Sequence, residues 1–181
     1  MIRHLTTLLP DTRGVALIEF ALILPVMLFI YVGATQLQDG IGCNRKVTST
    51  TRAAADLIAQ NTTGVTTAKE VDESLSAAAM VLTPYAVDAA KIRVSEIAID
   101  KHKNVTVVWS RGRNIRPYTP GTPITLPTAM QTANTFFLFA EVSYAYTPPV
   151  SFGGIGPLTL KDTIYMVPRN TDQIACPDCL L

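Results

Sequence analysis

The sequence predicts an α+β fold in which a long N-terminal helix and a second helix precede about four antiparallel strands. Three observations lead to this prediction. Apolar residues are concentrated in one N-terminal run, and the next apolar positions recur at intervals of three and four, as on one face of a helix. After Pro84, apolar and polar residues alternate, as in strands with one buried face. Helices followed by a run of strands are typical of α+β domains.

The first element is an apolar segment long enough to cross a membrane. Between Val15 and Ala34 the only ionisable side chains are those of Glu19 and Tyr31. Twenty helical residues extend about 30 Å, the thickness of the hydrocarbon core. A secretory signal has a shorter apolar core that ends in a small-residue cleavage site, so cleavage just after the run is the less favoured interpretation. Pro25 lacks a backbone N–H and is predicted to kink this stem.

The orientation of the stem is not set by its flanking charges. Basic residues lie on both sides, at Arg3 and Arg13 before the stem and at Arg45, Lys46 and Arg52 after it. A long C-terminal domain is translocated largely regardless of charge. We therefore expect a leader at 1–14 inside, a transmembrane stem at 15–34, and a folded domain at 35–181 outside.

The stem is predicted to continue into the domain as one helix. One apolar stripe continues after the stem, at Cys43, Val47, Thr50, Ala54 and Leu57. Gly40 and Gly42 weaken the helix, so a bend or a melted turn is predicted there. The sequence QNTTG at 60–64 is predicted to end the helix.

A second helix is predicted to begin after Thr67, because TAKE at 67–70 has the pattern of a capping box with Glu70. Pro84 is predicted to end it. Asp72 and Glu73 are expected on its solvated side. The predicted apolar face consists of Ala68, Val71, Leu75, Ala78 and Leu82.

The rest of the domain is predicted to be a sheet with long loops. KIRVSEIAI (91–99) and VTVVW (105–109) flank a polar turn and form a hairpin, with a bulge near Glu96 where the alternation slips. The segment 112–128 carries four prolines and two glycines and is predicted to be a loop, followed by a short helical turn at 128–133. FFLFAEVSYAY (136–146) is predicted to be a central strand. After the loop TPPVSFGGIGP, LTLKDTIYMV (158–167) is predicted to be a strand with one solvated face.

Composition and residue spacing argue against several functions. The 15 basic and 14 acidic residues nearly balance, so a nucleic-acid partner is not predicted. His4 and His102 are the only histidines and have no companion at catalytic or metal-ligand spacing. The glycine-containing stretches lack the strand-turn-helix context of a phosphate loop. No catalytic residue, cofactor or metal is therefore predicted, and the chain is not expected to be an enzyme.

The three cysteines leave two arrangements open. CPDC at 176–179 has the spacing of a redox or half-zinc motif, but it has neither a βαβ context nor a second ligand pair. In an oxidising compartment thiols are expected to pair, and three thiols leave one over. Either Cys43 bridges to Cys176 and fixes the C-terminal segment to the long helix, or Cys43 is buried and inert while Cys176 and Cys179 form a pair of their own or stay free.

The start of the stem resembles the class III signal of type IV prepilins. A basic leader ends in Arg13 and Gly14, and VALIEF follows. In that family a membrane-embedded prepilin peptidase cuts after the glycine, and the acid at the fifth mature position is retained. The resemblance implies cleavage between Gly14 and Val15 and a role for Glu19 in stem assembly. Cleavage would create an α-ammonium on Val15, and the ammonium of a neighbouring subunit could then pair with Glu19 in the apolar bundle. The alternative is an uncleaved anchor, with Glu19 protonated or close to the cytoplasmic surface.

Three stretches resemble TadE-like proteins of the tight adherence pilus system: EFALILPVMLFIYVGA in the stem, FAEVSYAYTPP in the aromatic strand, and YMVPR near the C-terminus. TadE-like proteins are pseudopilins or minor pilins of a bacterial inner membrane, with the domain in the periplasm and the leader in the cytoplasm. The resemblance implies a structural role in pilus assembly. It also implies the partners: the inner membrane, a prepilin peptidase, other pilins and pseudopilins, and the pilus assembly platform. The alternative is an uncleaved membrane-anchored periplasmic binding or scaffold module.

Overall fold

The computed structural model describes residues 14–149 and 157–180. In these residues two α-helices pack on one antiparallel sheet, which confirms the predicted α+β class. The helices are α1 (Val15–Ala59) and α2 (Ala68–Ala79), and the strands are β1 (Ala90–Ile99), β2 (Val105–Arg113), β3 (Thr135–Tyr146) and β4 (Leu158–Met166). The sheet order is β2-β1-β3-β4. The predicted leader, apart from Gly14, and most of the loop before β4 lie outside the described residues.

Helix α1 is a single helix of 45 residues that joins the stem to the domain, as predicted. It ends at Ala59, just before QNTTG. The predicted melted turn is wrong, because the helix continues through Gly40 and Gly42. Both glycines instead face aromatic side chains: a Cβ at Gly40 would lie 3.7 Å from the Tyr146 ring, and a Cβ at Gly42 would lie 3.2 Å from the Tyr85 hydroxyl.

The buried stripe of α1 follows the prediction up to its last residue. Cys43, Val47, Thr50 and Ala54 are buried, whereas Leu57 is 42% exposed and Ile58 is buried in its place. The predicted positions repeat every 3.5 residues, and an ideal α-helix drifts by about 20° per heptad relative to such a repeat. The stripe has therefore moved by one residue at the end of α1.

Helix α2 begins as the sequence predicts. The Thr67 hydroxyl accepts a hydrogen bond from the Glu70 N–H at 3.3 Å, and the Glu70 carboxylate accepts one from the Thr67 N–H at 3.0 Å, which completes the capping box. The helix ends at Ala79, before a 3₁₀ turn over Met80–Leu82. The predicted apolar face is buried at Val71, Leu75, Ala78 and Leu82, and Ala68 is half-buried.

The hairpin of β1 and β2 contains the predicted irregularity. Glu96 pairs with Trp109 and Ile97 pairs with Val107, so Val108 is the extra residue and the bulge belongs to β2. The pairing of β1 with β3 runs through the same point without a shift. His102 lies in the turn between the two strands, as predicted, where its backbone N–H donates to the Asp100 carboxylate at 2.7 Å.

Apolar side chains pack on both faces of the sheet. The helices cover one face, where Ile92, Val94, Trp109 and Leu138 belong to the main core. On the other face, Ile97, Ile99, Val107 and Phe139 form a second cluster with Leu126 from the long loop. The apolar positions of β1 change face near Glu96 because Ile92 and Val94 pack in the main core, whereas Ile97 and Ile99 pack in the second cluster on the opposite face.

The long loop is shorter than predicted, because residues 112 and 113 belong to β2. Its residues 121–124 run along the outer edge of β2, where the Val107 N–H donates to the Thr122 carbonyl at 3.0 Å and the Ile124 N–H donates to the Val105 carbonyl at 3.1 Å. The predicted helical turn is present as Thr128–Met130.

Strand β3 is internal in the sheet, as predicted, and its side chains at Leu138, Ala140, Val142 and Tyr144 are buried. Strand β4 is an edge strand with a solvated face, again as predicted. Tyr165 departs from that face, because its ring stacks on Phe139 with the centroids 4.8 Å apart.

Candidate functional site: the stem and its junction with the domain

The predicted cleavage site lies at the start of α1. Gly14 occupies the N-cap position with φ −90° and ψ −11°, and no side chain caps the helix there. Val15 is 47% exposed, and Glu19, about one turn later, is also exposed. The structure therefore brings Gly14, Val15 and Glu19 together at one accessible helix end, while cleavage and the pairing of Glu19 stay predictions.

The first half of α1 presents apolar side chains that are largely exposed in the described part of the chain. No residue of its most apolar 18-residue window is buried. Pro25 lies inside α1, which continues on both sides of it, and the kink stays a prediction. An uncovered apolar surface of this size is expected to contact lipid or other apolar helices. The exposed large side chains include Leu17, Ile18, Phe20, Leu22, Ile23, Val26, Met27, Leu28, Phe29 and Ile30.

Asp39 connects the stem to the domain. The Tyr85 hydroxyl donates to Asp39 Oδ1 at 3.0 Å, and the Tyr146 hydroxyl donates to Asp39 Oδ2 at 2.6 Å. The two rings meet edge to face, with centroids 6.3 Å apart. Burial, followed by the hydrogen bond to Asp39, raises the pKa of Tyr85 to about 12 and that of Tyr146 further still. Both hydroxyls are therefore held as donors to the carboxylate.

This junction was missed by the sequence analysis. The partners of Asp39 lie 46 and 107 residues away along the chain, so no local pattern connects them. One signal was available in DGIG (39–42), where an acid at the end of the apolar run stands beside two glycines. Glycines allow another group to approach the backbone closely, and here the approaching groups are the two tyrosines.

The cysteines adopt the second of the two arrangements left open. Cys176 and Cys179 form a disulfide with a Cα–Cα distance of 5.3 Å, and Cys43 is buried and free. A bridge from Cys43 to Cys176 does not form, because Cys176 lies beside residues 64–68, beyond the end of α1, and Cys43 lies about 24 Å along the helix from that end. Burial, with a smaller contribution from Asp39, raises the pKa of the Cys43 thiol to about 11, which keeps it protonated and unreactive.

The C-terminal segment, residues 174–179, closes the domain near the start of α2. The Thr66 N–H donates to the Ala175 carbonyl at 2.8 Å, and the Ala175 N–H donates to the Gly64 carbonyl at 2.9 Å. Both carboxylate oxygens of Asp178 accept from the Ala68 N–H at 3.0 Å. A negative charge at a helix N-terminus is stabilising. The CPDC motif therefore has a structural role in the fold.

Glu96 is a fully buried carboxyl group beneath this segment. Its Oε1 accepts from the Ile174 N–H at 2.7 Å, and the Trp109 indole N–H donates to the Ile174 carbonyl at 2.7 Å. Its Oε2 has no hydrogen-bond partner among the described residues. Desolvation raises the pKa of Glu96 to about 7, although the hydrogen bond from Ile174 favours the ionised form. The sequence does not reveal this group, because only the folded structure shows that the Glu96 carboxyl is buried.

Two ion pairs hold other parts of the domain. Asp72, predicted to be solvated, is half-buried and binds the Arg111 guanidinium, whereas Glu73 is exposed as predicted. On the other face of the sheet, Arg93 binds Glu141 at 2.7 Å and lies over the Tyr118 ring, 3.5 Å from its centroid. The second pair fixes the long loop to the sheet.

One group of side chains has the composition of a metal site. The potential ligand atoms of Cys176, Asp178 and Cys179 lie within 4.8 Å of one another. The disulfide uses both sulfur atoms, and the Asp178 carboxylate is bound to the N-terminus of α2. These contacts give the group a structural explanation, so we assign no metal to it.

Comparison with known protein families gives a match at the start of the chain. Residues 14–56 match the family model described as TadE-like protein. No curated protein and no solved structure gives a significant match. The matched residues contain Gly14, Val15, Glu19 and Pro25, together with nearly all of the rest of α1. The N-terminal part of the chain is therefore similar to TadE-like proteins.

Proposed function

We propose that the chain is a pilin-like structural protein of the tight adherence pilus, anchored in the inner membrane by α1 and cut by a prepilin peptidase after Gly14. The similarity of residues 14–56 to TadE-like proteins supports the pilus association, and that family is not known for enzymes. The domain would lie in the periplasm. The partners would be other pilins and pseudopilins and the assembly platform.

The observation that carries this proposal is the division of α1 into two halves. Its first half has an uncovered apolar surface that begins at Gly14, Val15 and Glu19, and its second half is buried in the domain from Cys43 onward. Because one helix forms both halves, a contact between stems in the membrane also sets the position of the domains outside. A simple anchor has no need for an acid near the start of its apolar run, whereas stems that pack together can pair it with a neighbouring α-ammonium.

N-terminal sequencing and intact mass of the membrane-derived protein test the proposal. The mature chain is expected to begin at Val15. Gly14→Val should block cutting, because it places a branched side chain next to the scissile bond. Gly33→Val is the matched control, since a Cβ at either glycine meets no atom within 4 Å. A mature pool that retains Met1 throughout would contradict the proposal and favour an uncleaved membrane-anchored binding or scaffold module.

A further inference from the structure

Two acids bracket the apolar part of α1. Between Glu19 and Asp39 the only ionisable side chain is that of Tyr31, and all three residues lie on one continuous helix. A helix rises about 1.5 Å per residue, so the two acids are about 30 Å apart along it, which is the thickness of the hydrocarbon core. A bilayer that keeps both carboxylates at its boundaries therefore covers residues 20–38, and the outer boundary lies four residues beyond the stem predicted from composition.

Asp39 also sets the level of the sheet. The Tyr146 hydroxyl donates to Asp39 Oδ2 at 2.6 Å, and Tyr146 is the last residue of β3. It pairs with Leu158, the first residue of β4. This end of the sheet is therefore at the height of Asp39, at the outer boundary of the bilayer. Tyrosine is enriched at this depth because its ring is apolar and its hydroxyl is polar.

An apolar groove of about 530 Å³ opens at the same level, between α1 and the ends of β3 and β4. Three of its apolar side chains are exposed: Leu37 by 67%, Ile41 by 47% and Leu158 by 51%. The lining begins at Gly33, inside the apolar run, and extends to Arg45. These two residues are about 18 Å apart along the helix, so the groove crosses the boundary.

We propose that this groove is a lipid-binding surface, in which Leu37, Ile41 and Leu158 contact bilayer phospholipid while Arg45 faces the phosphate groups. The groove is continuous with the membrane-spanning surface of α1, so lipid that surrounds Gly33 also meets its inner end. Arg45 lies about 9 Å beyond Asp39, close to the outer limit of the headgroup layer. The domain then rests on the bilayer instead of standing clear of it. The inference uses only the membrane-anchor part of the proposed function.

Quenching of added tryptophans by brominated lipid tests this contact. The full chain would be placed in vesicles of phosphatidylethanolamine and phosphatidylglycerol with brominated acyl chains, at high lipid-to-protein ratio so that stems are separate. Ile41→Trp and Leu158→Trp should each lose about half or more of their added emission, since side chains at the headgroup and acyl boundary are within reach of the bromines. Leu57→Trp is the matched control, because Leu57 is 42% exposed on the same helix and lies far from the membrane.

Trp109 is buried and contributes the same emission to every variant, so a retained blue-shifted component also shows that the fold is intact. If Leu158→Trp disturbs β4, Ile41→Trp on the surface of α1 decides the question alone. Quenching at Ile41→Trp no greater than at Leu57→Trp would overturn the proposal. A cross-link between two copies of the chain through position 41 or 158, under the same dilution, would also overturn it, because a second copy and not lipid would then occupy the groove. The test does not depend on leader removal, so a retained Met1 would refute cleavage and leave this result standing.

Discussion

Gly40, Gly42 and Gly112 differ in the space around their missing side chains, and this difference predicts three different mutational effects. Gly40→Ala should raise stability by about 0.5–1 kcal/mol, because glycine is costly inside a helix and the new Cβ has ordinary contacts at 3.7 Å. Gly42→Ala should gain less, since its Cβ would lie 3.2 Å from the Tyr85 hydroxyl. Gly112→Ala should lose about 1–3 kcal/mol, because its Cβ would lie 2.3 Å from the backbone oxygen of Ile115.

Thermal unfolding in one detergent, followed through Trp109, compares the three glycine variants with the wild type. The midpoint temperature is expected to be highest for Gly40→Ala, lower for Gly42→Ala and lowest for Gly112→Ala. A Gly40→Ala midpoint below that of the wild type would contradict the close but unstrained contact with Tyr146.

The buried carboxyl of Glu96 predicts a specific dependence of stability on pH. Burial raises the pKa of Glu96 from 4.5 to about 7, so the folded state holds its proton more tightly than the unfolded state does. The contribution of this shift to stability is complete below pH 4.5 and is lost as pH rises to about 7, with a total of about 3 kcal/mol. Glu96→Gln does not titrate and should lack this loss.

Urea unfolding at several pH values between 4.5 and 8 measures the effect as the difference between the wild type and Glu96→Gln. Glu73→Gln is the control, since the Glu73 side chain is 67% exposed. The wild type should lose stability relative to Glu96→Gln across this range and keep a constant difference from Glu73→Gln. Parallel curves for the wild type and Glu96→Gln would mean that Glu96 is solvated in solution.

At the scale of elements, the C-terminal segment is held at several points. Its disulfide encloses a very short loop, for which the chain-entropy relation gives about 2 kcal/mol. Replacing Cys176 and Cys179 by Ser should therefore lower the unfolding free energy by about this amount. Release of Ile174 from the Trp109 indole should expose the ring to water and shift its emission to the red. The shift can be assigned to Trp109 because it is the single tryptophan of the chain.

Fluorescence and thermal unfolding with and without a dithiol reductant measure this effect. Reduction should change the wild type and leave the double Ser variant unchanged. Asp178→Asn, which keeps the disulfide and weakens the contact with Ala68, separates capping from cross-linking. Non-reducing peptide mapping should find Cys176 linked to Cys179 and Cys43 free. A Cys43–Cys176 peptide would contradict the structure.

The elements that could be predicted from the sequence are those specified by neighbouring residues. The capping box at Thr67 and Glu70, the turn around His102 and the bulge near Glu96 each depend on a few adjacent positions. The docking of residues 174–179 could not be predicted, because Ile174 reaches Glu96 across 78 residues. Backbone hydrogen bonds carry much of that docking, and the sequence does not encode them in any one side chain.

At the scale of the whole molecule, the same limit applies to the candidate site. Gly14, Val15, Glu19 and the apolar run lie within one short stretch of the sequence, so a sequence motif could identify them. The attachment of the domain at Asp39 depends on two tyrosines that are brought in by the folded sheet, and only the fold places the groove beside the stem. The sequence therefore identifies the apolar stem, and the structure identifies the contacts that fix the domain to it.

Glu19 makes the final prediction, because its role depends on an assembly of several chains. A single stem leaves this carboxylate exposed at the inner end of the apolar run, and the α-ammonium that would pair with it exists only after cutting at Gly14. Glu19→Ala should therefore leave cutting largely intact and lower the amount of this protein that co-purifies with other pilins, by a factor of about ten for the loss of one well-formed pair. Tyr31→Phe is the matched control, since Tyr31 is the other ionisable residue of the stem and is 68% exposed. Quantitative co-purification from membranes measures the effect, with N-terminal sequencing of the same samples. Equal recovery of Glu19→Ala and Tyr31→Phe would show that Glu19 does not pair between stems. Loss of cutting in Glu19→Ala alone would assign the residue to peptidase recognition.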